Sequence, residues 1–411
     1  MASYLLRGGH VLDPVAGALL ENHAVLVEDG VVREVSDRPI ASASAQRIDV
    51  AGRTVMPGLI DTHAHVTFSQ TNLGLLAGTP TVTVALRSLP ILRGMLRRGF
   101  TTVRDAGGAD HALKQAVEEG LAVGPRLFVS GAALSPTGGH GDFRGRSDML
   151  RPVGCGCCHR LGSTRVADGV DAVRLAVRET LQMGADQIKI MSSGGVASPT
   201  DPVNALGYSL EETRAIVDEA RARHTYVLAH AYTAEAISRA VQCGVRTIEH
   251  GNLVDEATAQ QMAAHGVYAV PTLVTYEALA QDGARLGLPA ESVAKIARVR
   301  EAGLRSLELF ARAGVKMGLG TDLLGVSHDQ QSDELRLRAR VLPVADVLRS
   351  ATVIGAEIVG QAGRLGQLVP GAVADLLVVD GNPLADLACL AGQGERIPLV
   401  MKDGRVCFND L

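Results

Sequence analysis

From residue 57 to about residue 360 the chain alternates short apolar runs with longer stretches whose apolar residues recur every three or four positions. The short runs are "LIDTHAHV" (59–66), "TTVRDAG" (101–107), "RLFVSGAAL" (126–134), "QIKIMSS" (187–193), "YVLAHAY" (226–232), "TIEHGN" (247–252), "YAVPTL" (268–273) and "KMGLGTD" (316–322). They read as strands buried on both faces. The periodic stretches, among them "DAVRLAVRETLQMG" (171–184), "SLEETRAIVDEARAR" (209–223), "TAEAISRAVQCG" (233–244) and "DEATAQQMAAHG" (255–266), read as amphipathic helices. Several open at Asp, Ser or Thr and close at Gly, as caps require. Eight strand–helix units predict a parallel (β/α)8 TIM barrel, whose chemistry gathers at the C-terminal ends of its strands. Outside this region the pattern is strand and turn. "HAVLVEDGVVREVSD" (23–37) is a hairpin around Asp29-Gly30, and "GQLVPGAVADLLVVDGNPL" (366–384) and "IPLVMKDGRVCFND" (397–410) return to the same character. The expected α/β architecture is therefore a barrel over 57–360 and a small composite β-sandwich domain built from 1–56 and 361–411.

Composition narrows the class. Of 411 residues, 46% are hydrophobic and 20% charged, which provides for a sizeable core. A formal charge of -4 with no basic run gives no electrostatic footprint for nucleic acid. No 18-residue apolar run predicts a membrane span, and "MASYLLRGGHVLDP" lacks the pattern of a secretory leader. Six cysteines, three of them clustered as Cys155, Cys157 and Cys158, do not form a disulfide framework for a chain of this size. The expectation is a cytoplasmic, enzyme-sized protein.

The predicted strand ends share a chemistry. Strand one carries His63 and His65, which a period of two sends to one face. Strand four carries Lys189, strand five His230, strand six His250 and strand eight Asp322. Four imidazoles and a carboxylate suit zinc or a related first-row divalent ion. An ammonium beside two such cations would be repelled, and burial lowers its pKa. A neutral amine can take up carbon dioxide and become an anionic carbamate. With Lys189 as N6-carboxylysine, two divalent ions, Asp322 and one hydroxide leave about one residual positive charge, whereas an ammonium leaves about three.

On these residues the chain resembles the amidohydrolase superfamily over essentially its whole length. It matches the type with H-x-H after strand one, lysine after strand four, histidines after strands five and six, and aspartate after strand eight. "MPGLIDTHAH", "ADQIKIMSSGGVASPTDP", "AHAYT", "TIEHGN" and "VPGAVADLLVVDGNPL" are most similar to its imidazolonepropionase-related branch, which includes Xaa-Pro dipeptidases, Xaa-Arg/Lys carboxypeptidases and ochratoxin-type amidases. The resemblance implies that His63, His65 and Asp322 hold one metal ion, His230 and His250 a second, and Lys189 bridges them. It further implies attack on an amide or peptide bond by a hydroxide bridging the two ions, with Asp322 as proton acceptor and then donor.

Around this centre, His140 in "SPTGGHGDF" corresponds to a family histidine that stabilises the oxyanion, and Tyr232 to a tyrosine that binds the substrate α-carboxylate. Arg144 and Arg146 read either as a bidentate clamp for a carboxylate or as solvated loop arginines. Asp61 and Asp105 read either as partners of an imidazole or as structural residues. Phe68, Phe143, Tyr208 and Tyr276 are candidate cleft walls. The tight "CGCCH" (155–159) does not fit the usual structural zinc spacing.

The expected function is hydrolysis of a small dipeptide or N-acyl amino acid with a free carboxylate, by a homo-oligomer using two divalent ions. The alternatives are cyclic-amide hydrolase, lactonase or phosphotriesterase-like activity, or a non-catalytic scaffold. Deamination fits less well, because Thr233 stands where H-x-x-E would place a glutamate after His230.

Overall fold

The computed structural model describes residues 3–42, 44–144, 162–198, 201–288 and 290–411; Arg146 and the Cys155–His159 cluster lie outside them. Among the described residues no helix is long and apolar enough to cross a membrane.

The apolar runs form two parallel sheets. One orders Leu59–Ala64, Phe100–Asp105 and Arg126–Val129. The other orders Thr164–Val166, Ala133–Ser135, Ile188–Met191, Val227–Thr233, Thr247–Leu253 and Tyr268–Val270. The third predicted strand is thus two halves, separated at Gly131 with φ 61°. Its first half pairs with Phe100–Asp105 and its second with Ile188–Met191. The seam is drawn together where Asp186 N–H donates to Val129 O and the Asp186 carboxylate receives Val129 N–H, both at 2.8 Å. Thr164–Val166 is an added edge strand that the hydrophobic pattern did not reveal.

Segment 316–322, expected as strand eight, is extended but irregular. Ala269 N–H donates to Lys316 O (3.0 Å) and Gly318 N–H to Ala269 O (2.9 Å). On the other side Thr62 N–H donates to Leu319 O (2.7 Å), and Thr321 and Asp322 N–H donate to His63 O (3.0 and 2.9 Å). The segment therefore joins the two sheets. Its glycines explain how it fits: a Cβ on Gly320 would lie 2.5 Å from Val270 Cγ1 and 2.7 Å from His63 Cβ.

Helix caps follow the sequence in most places. Ser209 and Glu212 form a capping box, and Thr233 and Asp255 accept the amide N–H of Ala236 and Thr258. At Val170–Gln182, however, Gly169 occupies the cap position, and Asp171 sits within the first turn.

The terminal segments supply two further sheets. One orders Val31–Ser36, Ala24–Glu28, Tyr4–Arg7 and Gln46–Asp49. The other orders Arg405–Asn409, Leu399–Lys402, Leu376–Val379, Thr54–Pro57, His10–Asp13 and Ala18–Leu20. "LLVV" (376–379) is apolar throughout because both its faces are covered. Leu376 and Val378 pack with Val25, Val32 and Val55, whereas Leu377 and Val379 join the core of the parallel region.

The core also reaches the site. Phe310, on helix Ala290–Ala313, is fully buried against Gly251, where even a methyl group would lie 2.8 Å from its ring. Phe310→Ala should cost about 3–5 kcal/mol, read as a shift of the urea unfolding midpoint at unchanged slope.

Candidate metal centre and active-site cleft

His63, His65, Lys189, His230, His250 and Asp322 line one cleft together with His140 and Tyr232; its empty volume is roughly 640 Å³. The imidazole rings are neighbours, with centroids 5.3 Å apart for His63–His65, 4.9 Å for His63–His250 and 4.7 Å for His230–His250. Ligand atoms of His63, His250 and Asp322 all lie within 4.8 Å of one another, a spacing that could hold a metal ion. This compact trio cuts across the pairing expected from family resemblance, which separates His250 from the other two.

Each imidazole is anchored through one nitrogen. His63 Nδ1 donates to Glu249 Oε2 (2.6 Å), His65 Nδ1 to Gly107 O (2.7 Å) and His230 Nε2 to Gly194 O (3.1 Å). A carboxylate and two carbonyls can only accept, so these contacts fix the tautomer and leave a lone pair on the opposite nitrogen. His250 Nδ1 meets Thr272 Oγ1 at 2.8 Å. On His63 the remaining Nε2 is buried without a hydrogen-bond partner among the described residues, 3.4 Å from Asp322 Oδ1, and His65 Nε2 lies 3.1 Å from the same oxygen. An orphaned His63 Nε2 and a His65 Nε2 that face one carboxylate are the donor set that a divalent ion completes.

Electrostatics support the arrangement. Burial pushes the His230 and His250 pKa values well below the ordinary value, so both rings are neutral. Burial alone would raise Asp322, but His63 and His65 hold it well below the usual carboxylate range. Glu249 is treated likewise: desolvation raises it, and the Arg104 guanidinium and His63 outweigh that and keep it ionised. Arg104 is itself wholly buried, donating from Nη2 to Glu249 (2.9 and 3.0 Å) and from Nε to Thr62 O (2.5 Å). Lys189 is 2% exposed, and among the described residues no carboxylate lies within ion-pair distance of it; desolvation lowers its pKa to about 8. His250 (φ 71°) and Asp322 (φ 53°) also adopt left-handed backbone, a strain that collects at functional sites.

The remaining candidates divide. His140 stacks on His230 with centroids 4.5 Å apart. Tyr232 stacks on His250 and shares a 2.8 Å hydrogen bond with Tyr276 Oη. Arg144 is not brought to the cleft: its guanidinium is already matched by Asp142, at 2.7 and 2.6 Å. Asp61 touches no imidazole; its carboxylate receives His63 N–H, Thr321 Oγ1 and Gln331 Nε2, and so ties the first strand to segment 316–322. Asp105 receives the amides of Val66, Gly107 and Ala109, shaping the turn whose Gly107 carbonyl holds His65. Phe68, Phe143 and Tyr276 line the cleft, whereas Tyr208 is packed into the core.

The sequence reading missed Glu249, Arg104 and Thr272. Glu249 adjoins His250, and strict alternation would place them on opposite faces. The left-handed turn at His250 breaks the alternation, and both approach His63. A glutamate and an arginine inside otherwise apolar strands were the available signal.

The sequence profile of the Amidohydrolase family matches residues 54–407. The chain belongs to that family. It is 32% identical to an ochratoxinase of Aspergillus niger over 92% of this chain and 81% of the relative. Among solved structures, an amidohydrolase matches at 63% identity and TM-score 0.98 over 100% of both chains. A prolidase complexed with N-methylphosphonate-L-proline matches at 59% identity and TM-score 0.97, over 99% of this chain and 100% of that one. This amidohydrolase is accordingly a hydrolase acting on C–N bonds.

Glu249→Gln keeps the shape but leaves the Arg104 charge buried and unmatched. The variant should lose about 3–5 kcal/mol of stability by denaturant titration. It should also bind zinc about 10–100-fold more weakly by competition with a chromophoric chelator. Unchanged values on both counts would remove Glu249 from the site's supporting structure.

Proposed function

We propose that this amidohydrolase is a two-metal dipeptidase that cleaves the amide bond to the nitrogen of a C-terminal proline or another amino acid with an uncharged side chain and a free carboxylate. The observation that carries it is the convergence of four anchored imidazoles, Asp322 and an unpaired buried lysine in one cleft. We read the linked parallel sheets as a (β/α)8 barrel over 57–360, and 1–56 with 361–411 as one composite β-domain.

In this reading His63, His65, His230, His250 and Asp322 would hold two divalent ions, zinc or a close relative, and Lys189 as a carbamate would add a further anionic ligand. When bound, such ions supply hydroxide at neutral pH and polarise the scissile carbonyl. Asp322, ionised and 3.1 Å from His65 Nε2, accepts the proton of the attacking water and returns it to the departing nitrogen. His140 faces the carbonyl oxygen as negative charge develops there. The Tyr232 hydroxyl, oriented by Tyr276, receives the substrate carboxylate.

The substrate class follows from the lining and the relatives. Among the described lining residues Asp322 is the sole acid and Lys189 the sole Lys or Arg, while Phe68, Leu73, Phe143, Met191, Leu279 and Leu324 are apolar. An arginine or lysine side chain would find no counter-charge. Proline or phenylalanine would find matching walls. The 59%-identical prolidase binds a ligand whose tetrahedral phosphorus stands where an amide carbonyl would precede proline.

Zinc-loaded protein should release proline from Xaa-Pro dipeptides, or an apolar amino acid from its N-acyl derivative, more than tenfold faster than it releases arginine or lysine. Silence on all acyl amino acids together with turnover of a cyclic amide or lactone would replace this reading. Lys189→Ala should lose bound metal and activity, with partial recovery of both in bicarbonate plus a short carboxylic acid.

Carbamate formation needs the neutral amine, which the depressed Lys189 pKa of about 8 makes the minor form at pH 7 and the major form at pH 9. At a fixed concentration of dissolved carbon dioxide, reconstitution of metal-free protein with zinc should therefore be roughly tenfold faster at pH 9 than at pH 7. A pH-independent rate would contradict the carbamate.

A further inference from the structure

The strand Ile188–Met191 continues into a loop that folds back on itself. At the loop's base Gly194 N–H donates to Ala205 O (2.9 Å) and Gly207 N–H to Ser192 O (3.0 Å). Only glycine permits this approach: a Cβ would lie 1.9 Å from Pro202 O at Gly194 and 2.1 Å from Met191 O at Gly207. The same base offers Gly194 O to His230 Nε2–H. The tip carries Val196 and Ala197 to the cleft, where Val196 shares one buried apolar cluster with Tyr232, Tyr276 and Leu279.

At the tip, two side chains do what backbone pairing does at the base. The Asp201 carboxylate accepts Gly195 N–H at 2.8 Å. From the far side Lys295, on helix Ala290–Ala313, donates to Gly195 O (3.2 Å), Ser198 O (2.8 Å) and Asp201 O. An ammonium has three N–H donors and no acceptor, so three carbonyls use its whole capacity. A guanidinium, with its donors spread in one plane, would not match them.

We propose that Lys295 is a positioning residue: its ammonium fills a cage of three main-chain carbonyls, as a bound cation would, and so sets the wall that Val196 and Ala197 give the cleft. The cage owes nothing to the proposed amide hydrolysis. Its effect on turnover does rest on that reading, in which Tyr232 receives the carboxylate of the departing amino acid and Val196 borders that residue. Without the ammonium, three partly buried carbonyls would face one another with no donor between them, and the tip would move apart to reach water. The base would keep its backbone bonds, so Gly194 O would still hold His230 and the metal ligands would stay in place.

The test uses full-length, zinc-loaded protein. Lys295→Ala leaves a space that n-propylammonium fills, since it restores the missing methylenes and the amine. Tetramethylammonium brings the same charge with no N–H to donate. The Val196 methyl signals in 13C-methyl spectra, identified by their loss in Val196→Ala, should move in Lys295→Ala and return with n-propylammonium alone. Signals that stay in place, that n-propylammonium leaves displaced, or that tetramethylammonium restores equally would overturn the proposal without any substrate. In release of proline from an Xaa-Pro dipeptide, Lys295→Ala should raise KM about tenfold with kcat within about threefold, at unchanged zinc content. Added n-propylammonium should bring KM back. A fall in kcat at unchanged KM would show that Lys295 does not act through the cleft wall. If no amide is turned over, the functional reading falls while the methyl signals still decide this one.

Discussion

The arrangement depends on how the protein divides the two nitrogens of each imidazole. A histidine with both nitrogens free can rotate, change tautomer or take up a second proton. Here Glu249, Gly107 O, Gly194 O and Thr272 Oγ1 each occupy one nitrogen of a different ring. What remains on the other side is a set of lone pairs around one point, in a setting that disfavours protonation of His230 and His250. The anchors come from four different stretches of chain, so the site exists only when the parallel strands are assembled in register. His63 is the most constrained case. Its anchor Glu249 is buried and charged, which is tolerable only because Arg104 neutralises it with two hydrogen bonds and is itself satisfied by Thr62 O and Thr247.

That chain of contacts links fold and site through the backbone as well. Segment 316–322 brings Asp322 to His63 by hydrogen-bonding to the strand that carries it, and the glycines within the segment allow the approach. Asp61 reinforces the same junction from within. The left-handed backbone at His250 and Asp322 shows that the side chains are aimed against local preference. Packing of the surrounding strands and of Phe310 supplies the free energy that keeps them there.

Much of this was legible in the sequence, and the reasons differ from residue to residue. Seven of the eight predicted parallel strands appear in place because fully buried strands are written as continuous apolar runs. The H-x-H pair, Lys189, His230, His250 and Asp322 could be placed because each sits at a predictable position on such a run. Segment 316–322 was misjudged as a regular strand since two glycines in an apolar run do not announce irregular pairing. Arg144 looked available for a carboxylate, but the nearby Asp142 takes both arms of its fork. The anchors were hidden for a deeper reason. Two are main-chain carbonyls, which any residue possesses, and Glu249 lies on the wrong face by simple alternation until the turn at His250 is known.

Charge ties these pieces to the proposed substrate. The ionised Glu249 and Arg104 cancel, and imidazoles that ligate a metal ion do so as neutral rings, so in the proposed centre the balance rests on Lys189 and Asp322. As an ammonium, Lys189 would add its charge to that of two divalent ions in a site with one carboxylate facing them. As a carbamate it would reverse sign, and with one hydroxide counted the centre would retain about one positive charge. The described lining contains no further lysine or arginine to receive a free carboxylate. A monoanionic N-acyl amino acid, or a dipeptide whose α-amine is unprotonated, would bring the cleft close to neutrality, whereas a cationic side chain would cancel that gain. In that account the preference for an uncharged C-terminal residue and the modification of Lys189 share one cause: a buried, mostly apolar pocket tolerates its metal ions only when the charges that enter with them nearly balance.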